Sequence, residues 1–193
     1  VATRAEIDEL TQKMAEQRAR LIAQVQALSD EEATRMPVDK TGEEQWTVKE
    51  QLAHLAEMEL SYDSWVRAAL AGDNPSVAGS EPPRPAIPIE AANGHSVSEL
   101  LAQLAAERED TLTMIGGMTP EQFDRTATQP AFGTLTALQW LRSFYRHDRM
   151  HADQIAGRDP DYKPKFANGV EPNQRQARIE RVARERTAPE GPA

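Results

Sequence analysis

The sequence predicts an all-α protein folded as a four-helix bundle, and three observations carry that prediction. Apolar residues recur at three- and four-residue steps in four long stretches. Helix-start signatures stand in front of most of them. Strand signals are nearly missing: no apolar/polar alternation is sustained, and no Asn-Gly or Asp-Gly turn lies between β-branched runs. Four long amphipathic helices bury their apolar stripes most simply against one another.

The starts are marked by a Ser or Thr followed three residues later by Glu or Gln, so that the two side chains reciprocally satisfy orphan backbone N–H groups. Five such boxes occur: Thr3/Glu6, Ser29/Glu32, Thr47/Glu50, Ser96/Glu99 and Thr119/Gln122. Behind Thr3, the residues Ile7, Leu10, Met14, Leu21, Val25 and Leu28 make one amphipathic helix, with Gln17 interrupting the seam. Behind Thr47 a second runs through Leu52, Leu55, Met58, Tyr62, Trp65, Val66 and Ala69 until Gly72. Behind Ser96 a third carries Leu100, Leu101, Leu104, Leu112 and Ile115 and stops at Gly116 and Gly117. The fourth spans Thr134 to Ala156, with Leu138, Trp140, Leu141, Phe144 and Ile155, and Gly157 follows it. The segments opened by Ser29 and Thr119 are short and predict single turns.

Residues 71 to 95 hold five prolines and three glycines and read as non-helical. A connection of that length can carry the chain back along the bundle, so that the second and third helices run parallel. The composition shifts again after Gly157, which divides the chain into a bundle over 1–156 and a proline- and arginine-containing tail over 157–193, with a weak helix expected at Gln174 to Arg186. The charge runs Glu107 to Asp110 and Arg175 to Arg186 read as solvated helix faces.

Composition narrows the chemistry. Of 193 residues, 31 are acidic and 22 basic, a formal charge of −9 that argues against a nucleic-acid partner, which needs a basic face. The tail contributes eight basic against six acidic side chains, so the bundle carries −11. No apolar run reaches membrane-spanning length, and Val1 to Arg20 lack the apolar core of a signal peptide. A cytoplasmic protein without membrane association is therefore expected. Cysteine is absent, so disulfides, thiolate ligands and cysteine nucleophiles are excluded, and any metal must be held by His, Asp or Glu.

Four histidines are left to carry chemistry. His147 and His151 are four apart in the fourth helix and project from one face. On a helical wheel they share the stripe of Trp140, Phe144 and Ile155, while Arg142, Arg146, Arg149 and Asp153 fall opposite. His54 lies at the edge of the second helix's apolar stripe. Three inward-leaning imidazoles on two rigid helices can supply three ligands to one metal ion and leave a position open, as a catalytic site does. The same positions also admit hydrogen-bonded core histidines without a metal. His95 reads as an ordinary loop residue. Asp148 and Glu57 are candidates to orient a ligand imidazole or act as a base toward an activated water, or else to pair with arginines. Gln154 is a candidate hydrogen-bonding partner across the bundle. Tyr62, Trp65, Trp140 and Phe144 are core first and pocket lining second. No nucleophile elbow, phosphate loop, dinucleotide fingerprint or HExxH occurs.

The order Trp46-Thr47-Val48-Lys49-Glu50, His54-Leu55-Ala56, a long crossover, and Arg146-His147-Asp148-Arg149-Met150-His151-Ala152-Asp153-Gln154-Ile155 resembles the DinB-like superfamily. That group includes the bacillithiol transferase and mycothiol-dependent maleylpyruvate isomerase branches. The resemblance implies an up-down-down-up bundle and a divalent metal, usually zinc or nickel, held by His54, His147 and His151. It also implies hydrolase-like chemistry on a small molecule or transfer of a low-molecular-weight thiol to a small electrophile. With no cysteine in the chain, such a thiol has to arrive as a cosubstrate. Two other readings stand beside this one. One is a non-catalytic bundle that binds a small molecule or a partner in a stress or resistance role. The other is a homodimer pairing through the first and third helices, which is compatible with either.

Overall fold

The computed structural model describes residues 1–35, 46–80 and 84–169. Four long helices dominate it: α1 (Arg4–Gln26), α2 (Val48–Ala71), α3 (Val97–Gly117) and α4 (Ala137–Ile155). Short 3-10 turns lie at Glu32–Thr34, Ile89–Gly94 and Pro120–Asp124. The expected helix at Gln174 to Arg186 lies outside the described residues. No described helix is long and apolar enough to cross a membrane.

All five capping boxes form as the sequence predicts. At Thr3, Thr47 and Ser96 the hydroxyl accepts the N–H three residues on while the glutamate accepts the cap N–H, and Ser29 does the same with Glu32; at Thr119 the cap N–H donates to the Gln122 amide oxygen at 2.8 Å. α4 ends as its Gly157 suggested. With φ +67°, Gly157 donates to the Gln154 carbonyl at 2.9 Å and Arg158 donates to that of Asp153 at 2.9 Å, the paired bonds of a Schellman stop that a Cβ would strain.

Side-chain pairs across the bundle set the helix directions. Glu6 meets Arg142 and Arg20 meets Asp153, so α1 and α4 run parallel. Gln51 meets His151 while Tyr62 meets Phe144, so α2 opposes α4. Leu52 and Leu55 cluster with Leu100 and Leu104, and Val66 with Met114, so α2 and α3 run parallel. The bundle is up-down-down-up, and the crossover makes it so.

Several expectations need correction. A two-stranded antiparallel hairpin, β1 (Thr126–Gln129) and β2 (Gly133–Thr136), precedes α4, where the sequence suggested helix from Thr134. Its turn uses Pro130 after Gln129, a Phe132 N–H to Gln129 carbonyl bond of 3.1 Å, and Gly133 at φ +79°. This is a three-residue loop, Pro130 to Phe132, followed by a left-handed glycine at the start of β2, a chemistry distinct from Asn-Gly. The helix then starts three residues later than expected, at Ala137, behind a sixth capping box, Thr136/Gln139. Replacing Thr136 by alanine should cost about 1 kcal/mol in urea unfolding, because Gln139 loses its N–H partner.

The crossover is likewise not purely irregular. Pro88 leads into the 3-10 turn at Ile89–Gly94, which buries Ile89 and Ala92. Earlier, Val77 donates to the Thr128 carbonyl and Thr128 to that of Pro75, both at 2.9 Å, so β1 pins the crossover. Gly116 and Gly117 lie inside the last turn of α3 rather than past it. The run Glu107 to Asp110 is only partly a solvated face: Glu107 and Arg108 are buried. Burial pushes the Glu107 carboxyl above its ordinary range against the opposing pull of Arg84, its ion-pair partner.

The core falls into two apolar halves. Ile7, Leu10, Met14, Tyr62, Trp65, Met114, Leu141 and Phe144 fill one, and Leu21, Val25, Leu52, Leu55, Leu100 and Leu104 fill the other. Burying each such side chain contributes about 1.5–3 kcal/mol. Between the halves, each helix turns a polar group inward: Arg18 from α1, Glu59 from α2, Arg108 from α3, and the segment His147 to His151 from α4.

Candidate metal centre

The waist of the bundle holds the histidines on one side. His54, on α2, and His147 and His151, on α4, are all buried. Their positions follow from antiparallel packing, which brings the first half of α2 beside the last half of α4. The Nε2 atoms of His54 and His147 are 3.2 Å apart, and those of His151 and His147 3.0 Å apart. One ligand atom from each of the three lies within 4.8 Å of the others. Two nitrogens bound to one zinc at about 2.05 Å and a tetrahedral angle would sit about 3.3 Å apart, so these separations suit a shared ion. Three imidazole donors and no thiolate make a set suited to a divalent transition-metal ion.

His151 is held by a residue that the sequence reading did not single out. Gln51, fully buried on α2, brings its Oε1 to 2.9 Å from Nδ1 of His151, and its Nε2 donates to the Trp46 carbonyl at 3.3 Å. The amide oxygen can only accept, so Nδ1 carries the proton and Nε2 presents its lone pair to the other imidazoles. Gln51 stands three residues before His54, on the same face of a helix, which is the signal that could have found it. The Trp46 ring closes the other side of His54 at a centroid distance of 4.7 Å.

Of the two candidate orienting acids, Asp148 pairs with arginines. Asp148, fully buried, accepts from Arg18 Nη2 at 3.0 Å and Arg18 Nε at 3.1 Å, and from Arg108 Nη2 at 3.0 Å. Glu59 completes the cluster, accepting from Arg18 and, at 2.6 Å, from Arg108 Nε. The leftover guanidinium hydrogens go to the Leu104 and Met14 carbonyls. Burial opposes the Arg18 charge, but Asp148 and Glu59 outweigh it and hold the guanidinium above its ordinary range. Asp148 is thus engaged by arginines at the centre of the bundle, with no acid placed at the imidazoles by it. Glu57 is half-buried on α2 and does not line the cavity described below. Gln154 is buried with its Oε1 unbonded, so the cross-bundle hydrogen bond expected of it is made by Gln51 instead.

His54 and His147 open onto a cavity of about 610 Å³. Tyr62 and Trp140 wall it from the bundle, Phe132 and Leu135 from the hairpin. The chain beyond α4 supplies the remaining wall, from Asp161 to Phe166. It is anchored there by an Ala167 N–H to Ala131 carbonyl bond of 2.7 Å, by Phe166 against Phe132 at 5.3 Å, and by an Arg149–Asp161 ion pair. Arg146 also lines the cavity, although the wheel set it opposite the histidines: its guanidinium reaches round to the Tyr162 ring, 5.6 Å from the centroid. Burial pushes the Tyr162 phenol above its ordinary range, against Arg146, so it stays protonated. Asp153, set opposite as well, is buried between Arg20 and Arg158.

Residues 13–155 match the DinB superfamily, which is most of the chain and includes all three histidines. The chain belongs to the DinB superfamily. Within it, this DinB-superfamily chain is 24% identical over 144 residues to the uncharacterized protein YuaE of Bacillus subtilis, covering 68% of this chain and 86% of that one. Among solved structures it is similar to YfiT from Bacillus subtilis, described as a probable metal-dependent hydrolase with an unusual four-helix bundle topology, with a TM-score of 0.66, 20% identity and coverage of 81% and 87% of the two chains. It is also similar to a histidine-to-alanine variant of mycothiol-dependent maleylpyruvate isomerase, with a TM-score of 0.61, 12% identity and coverage of 85% of this chain and 64% of that one. At these identities the solved structures speak for the fold.

Proposed function

We propose that this DinB-superfamily protein is a metal-dependent enzyme in which His54, His147 and His151 hold a divalent ion, zinc or nickel. In that reading the adjoining cavity takes a small-molecule substrate. The observation that carries it is the convergence of three buried Nε2 atoms where a cavity of about 610 Å³ opens, a volume in the usual small-molecule range. The likeness to YfiT and to the isomerase supports hydrolase-like chemistry or transfer of a low-molecular-weight thiol to a small electrophile. An ion so held supplies a lowered pKa to a coordinated water or thiol and polarises a substrate oxygen.

The chain's own groups do the rest. Gln51 keeps the Nδ1 proton on His151 and turns Nε2 inward. Tyr62, Trp140, Phe132 and Phe166 give the space above the imidazoles aromatic walls. Tyr162 keeps its phenolic proton at neutral pH and so offers an O–H on the wall.

Metal content after purification in chelator-free buffer tests the first half: about one ion per chain is expected in the wild type and almost none in His54→Ala/His151→Ala. Equal contents, or none in either, overturn it. Conjugation of small thiols to an electrophile and hydrolysis of activated esters test the second half, with His151→Ala as the reference. A wild-type rate no higher than that variant's refutes the enzymatic reading and leaves the binding module. Gln51→Ala should weaken metal affinity about 10- to 100-fold while the helical circular dichroism is kept, because the imidazole loses its orienting partner.

Dimerisation is a separate proposal. A shallow, largely apolar trough runs between α1 and α3 past Ile22, Leu101, Ala105 and the exposed Leu112, which supports pairing of two copies there. Sedimentation of Leu112→Glu against wild type checks it: a dimer that reverts to monomer supports this face.

A further inference from the structure

The charge around the cavity is opposite to that of the chain. Residues 1–156 carry −11, yet the charged groups lining the cavity are Arg146, Lys163 and Lys165 against the single Asp161. Asp161 is already paired with Arg149, and Lys163 stands 3.7 Å from Asp159. Among the described residues no carboxylate lies within ion-pair distance of Arg146 or Lys165. An acidic surface with one cationic opening focuses small anions there.

Arg146 is also pre-positioned. It is half-buried, with its guanidinium 5.8 Å from the Tyr145 ring centroid and 5.6 Å from that of Tyr162. Cation–π contacts with the two rings and a hydrogen bond to the Tyr162 hydroxyl hold the guanidinium at the wall and leave its remaining N–H groups for an anion, so less side-chain entropy is lost on engaging one. A partly desolvated cation with no counter-charge is costly, and an incoming anion removes that cost. Around it the walls are flat rings: Trp140 and Tyr62 from the bundle, Phe132 of the hairpin edge-on to Trp140 at 5.9 Å, and Phe166 of the tail against Phe132 at 5.3 Å. Such walls suit an aromatic or similarly flat apolar body.

We propose that the cavity takes a small organic anion with an aromatic or apolar body, its anionic group held by Arg146 and Lys165 and its body against the aromatic walls. This rests on the reading of the cavity as the substrate site. It assigns part of the specificity to the segment after α4, since Lys165 and Phe166 both come from it. Selectivity for an anion would then vary with that segment while the histidine cluster stays the same.

Isothermal titration of the full chain with 3-phenylpropionate, phenylphosphonate and the neutral 3-phenylpropionamide tests the proposal. Each titration is run on protein stripped of metal and on protein loaded with zinc. At least one anion should bind about tenfold or more tightly than the amide in both forms, the scale of one charge-assisted contact. The preference should fade as salt is raised. It should also vanish in Arg146→Gln/Lys165→Gln, with Lys165→Gln alone, on the exposed tail, losing about threefold and leaving the bundle intact. Equal affinity for anions and amide overturns the proposal, as does no binding of any probe up to about 10 mM. So does an anion preference that survives the double substitution. A preference seen only in the zinc-loaded form assigns the anion to the ion, which overturns this proposal and supports the metal reading. Failure of the metal reading leaves the stripped-protein arm to decide this one.

Discussion

Replacing Glu59 by glutamine should destabilise the bundle by about 3–5 kcal/mol in urea unfolding, the usual effect of removing one partner from a buried charge cluster. Glu59 accepts from both Arg18 and Arg108, and its loss leaves two buried guanidiniums to share Asp148. Asp148→Asn should cost a similar amount for the same reason. The favourable part of the cluster is pairing offset by desolvation, so replacing all four charges with apolar residues, as in Arg18→Met/Glu59→Leu/Arg108→Met/Asp148→Leu, should come close to wild-type stability. A Glu59→Gln loss below about 1 kcal/mol would mean that water reaches the cluster and screens it. What the four charges supply is axial register. Apolar stripes tolerate sliding, whereas Arg18, Glu59, Arg108 and Asp148 meet at one height only, one from each helix. Asp148 lies between His147 and His151 in sequence, so the height it sets for α4 is the height of the imidazoles. The quadruple apolar variant should therefore keep its stability yet bind metal more weakly than the wild type, measured by competition with a chromophoric chelator.

Zinc should raise the melting temperature of the wild type by about 8–16 °C and leave His54→Ala/His151→Ala unmoved. An ion bound only by the folded chain adds about 4 kcal/mol at a free concentration a thousandfold above its Kd. In a chain of this size each kcal/mol shifts the midpoint by about 2–4 °C. Chelator added to the loaded protein should reverse the shift. The comparison works because the double variant removes ligands rather than core volume at the four-charge cluster, which it leaves untouched. A shift of equal size in the variant would place the ion elsewhere on this acidic surface, and no shift in either would remove the metal from the reading altogether.

Much of the candidate site was legible because its determinants are local. The HxxxH spacing of His147 and His151 places both rings on one helix face whatever surrounds them, and the wheel that puts Trp140 and Phe144 beside them is likewise arithmetic on one helix. His54 stood at the edge of a stripe. Its meeting with the pair at 3.2 Å depends on α2 opposing α4. Gln51 does not stand out in the sequence because a glutamine at a core position reads as an interruption until its partner is known, and Arg18 is hidden for the same reason beside Gln17, which interrupts the seam. Arg146 was set on the far face because a wheel describes the Cα–Cβ direction, while a long side chain can reach round to a ring such as Tyr162.

By itself the sequence determined the four long helices and most of their ends, since a capping box, a Schellman glycine and an apolar period are settled within a few residues of backbone. It determined the parallel second and third helices through the length of the crossover, and the residue types available to a metal. Only the tertiary structure decided which polar groups meet. The Arg18–Glu59–Arg108–Asp148 cluster joins residues up to 130 positions apart, and the wall from Asp161 to Phe166 comes from a segment whose composition looked like an appendage. The hairpin before α4 belongs with these, because its strands are stabilised by pairing with each other and with Ser76 of the crossover. The physical reason is common to all of them. A lone buried charge or a short polar strand is unfavourable by every local measure, and becomes favourable only when a partner distant in the chain removes the cost of desolvating it.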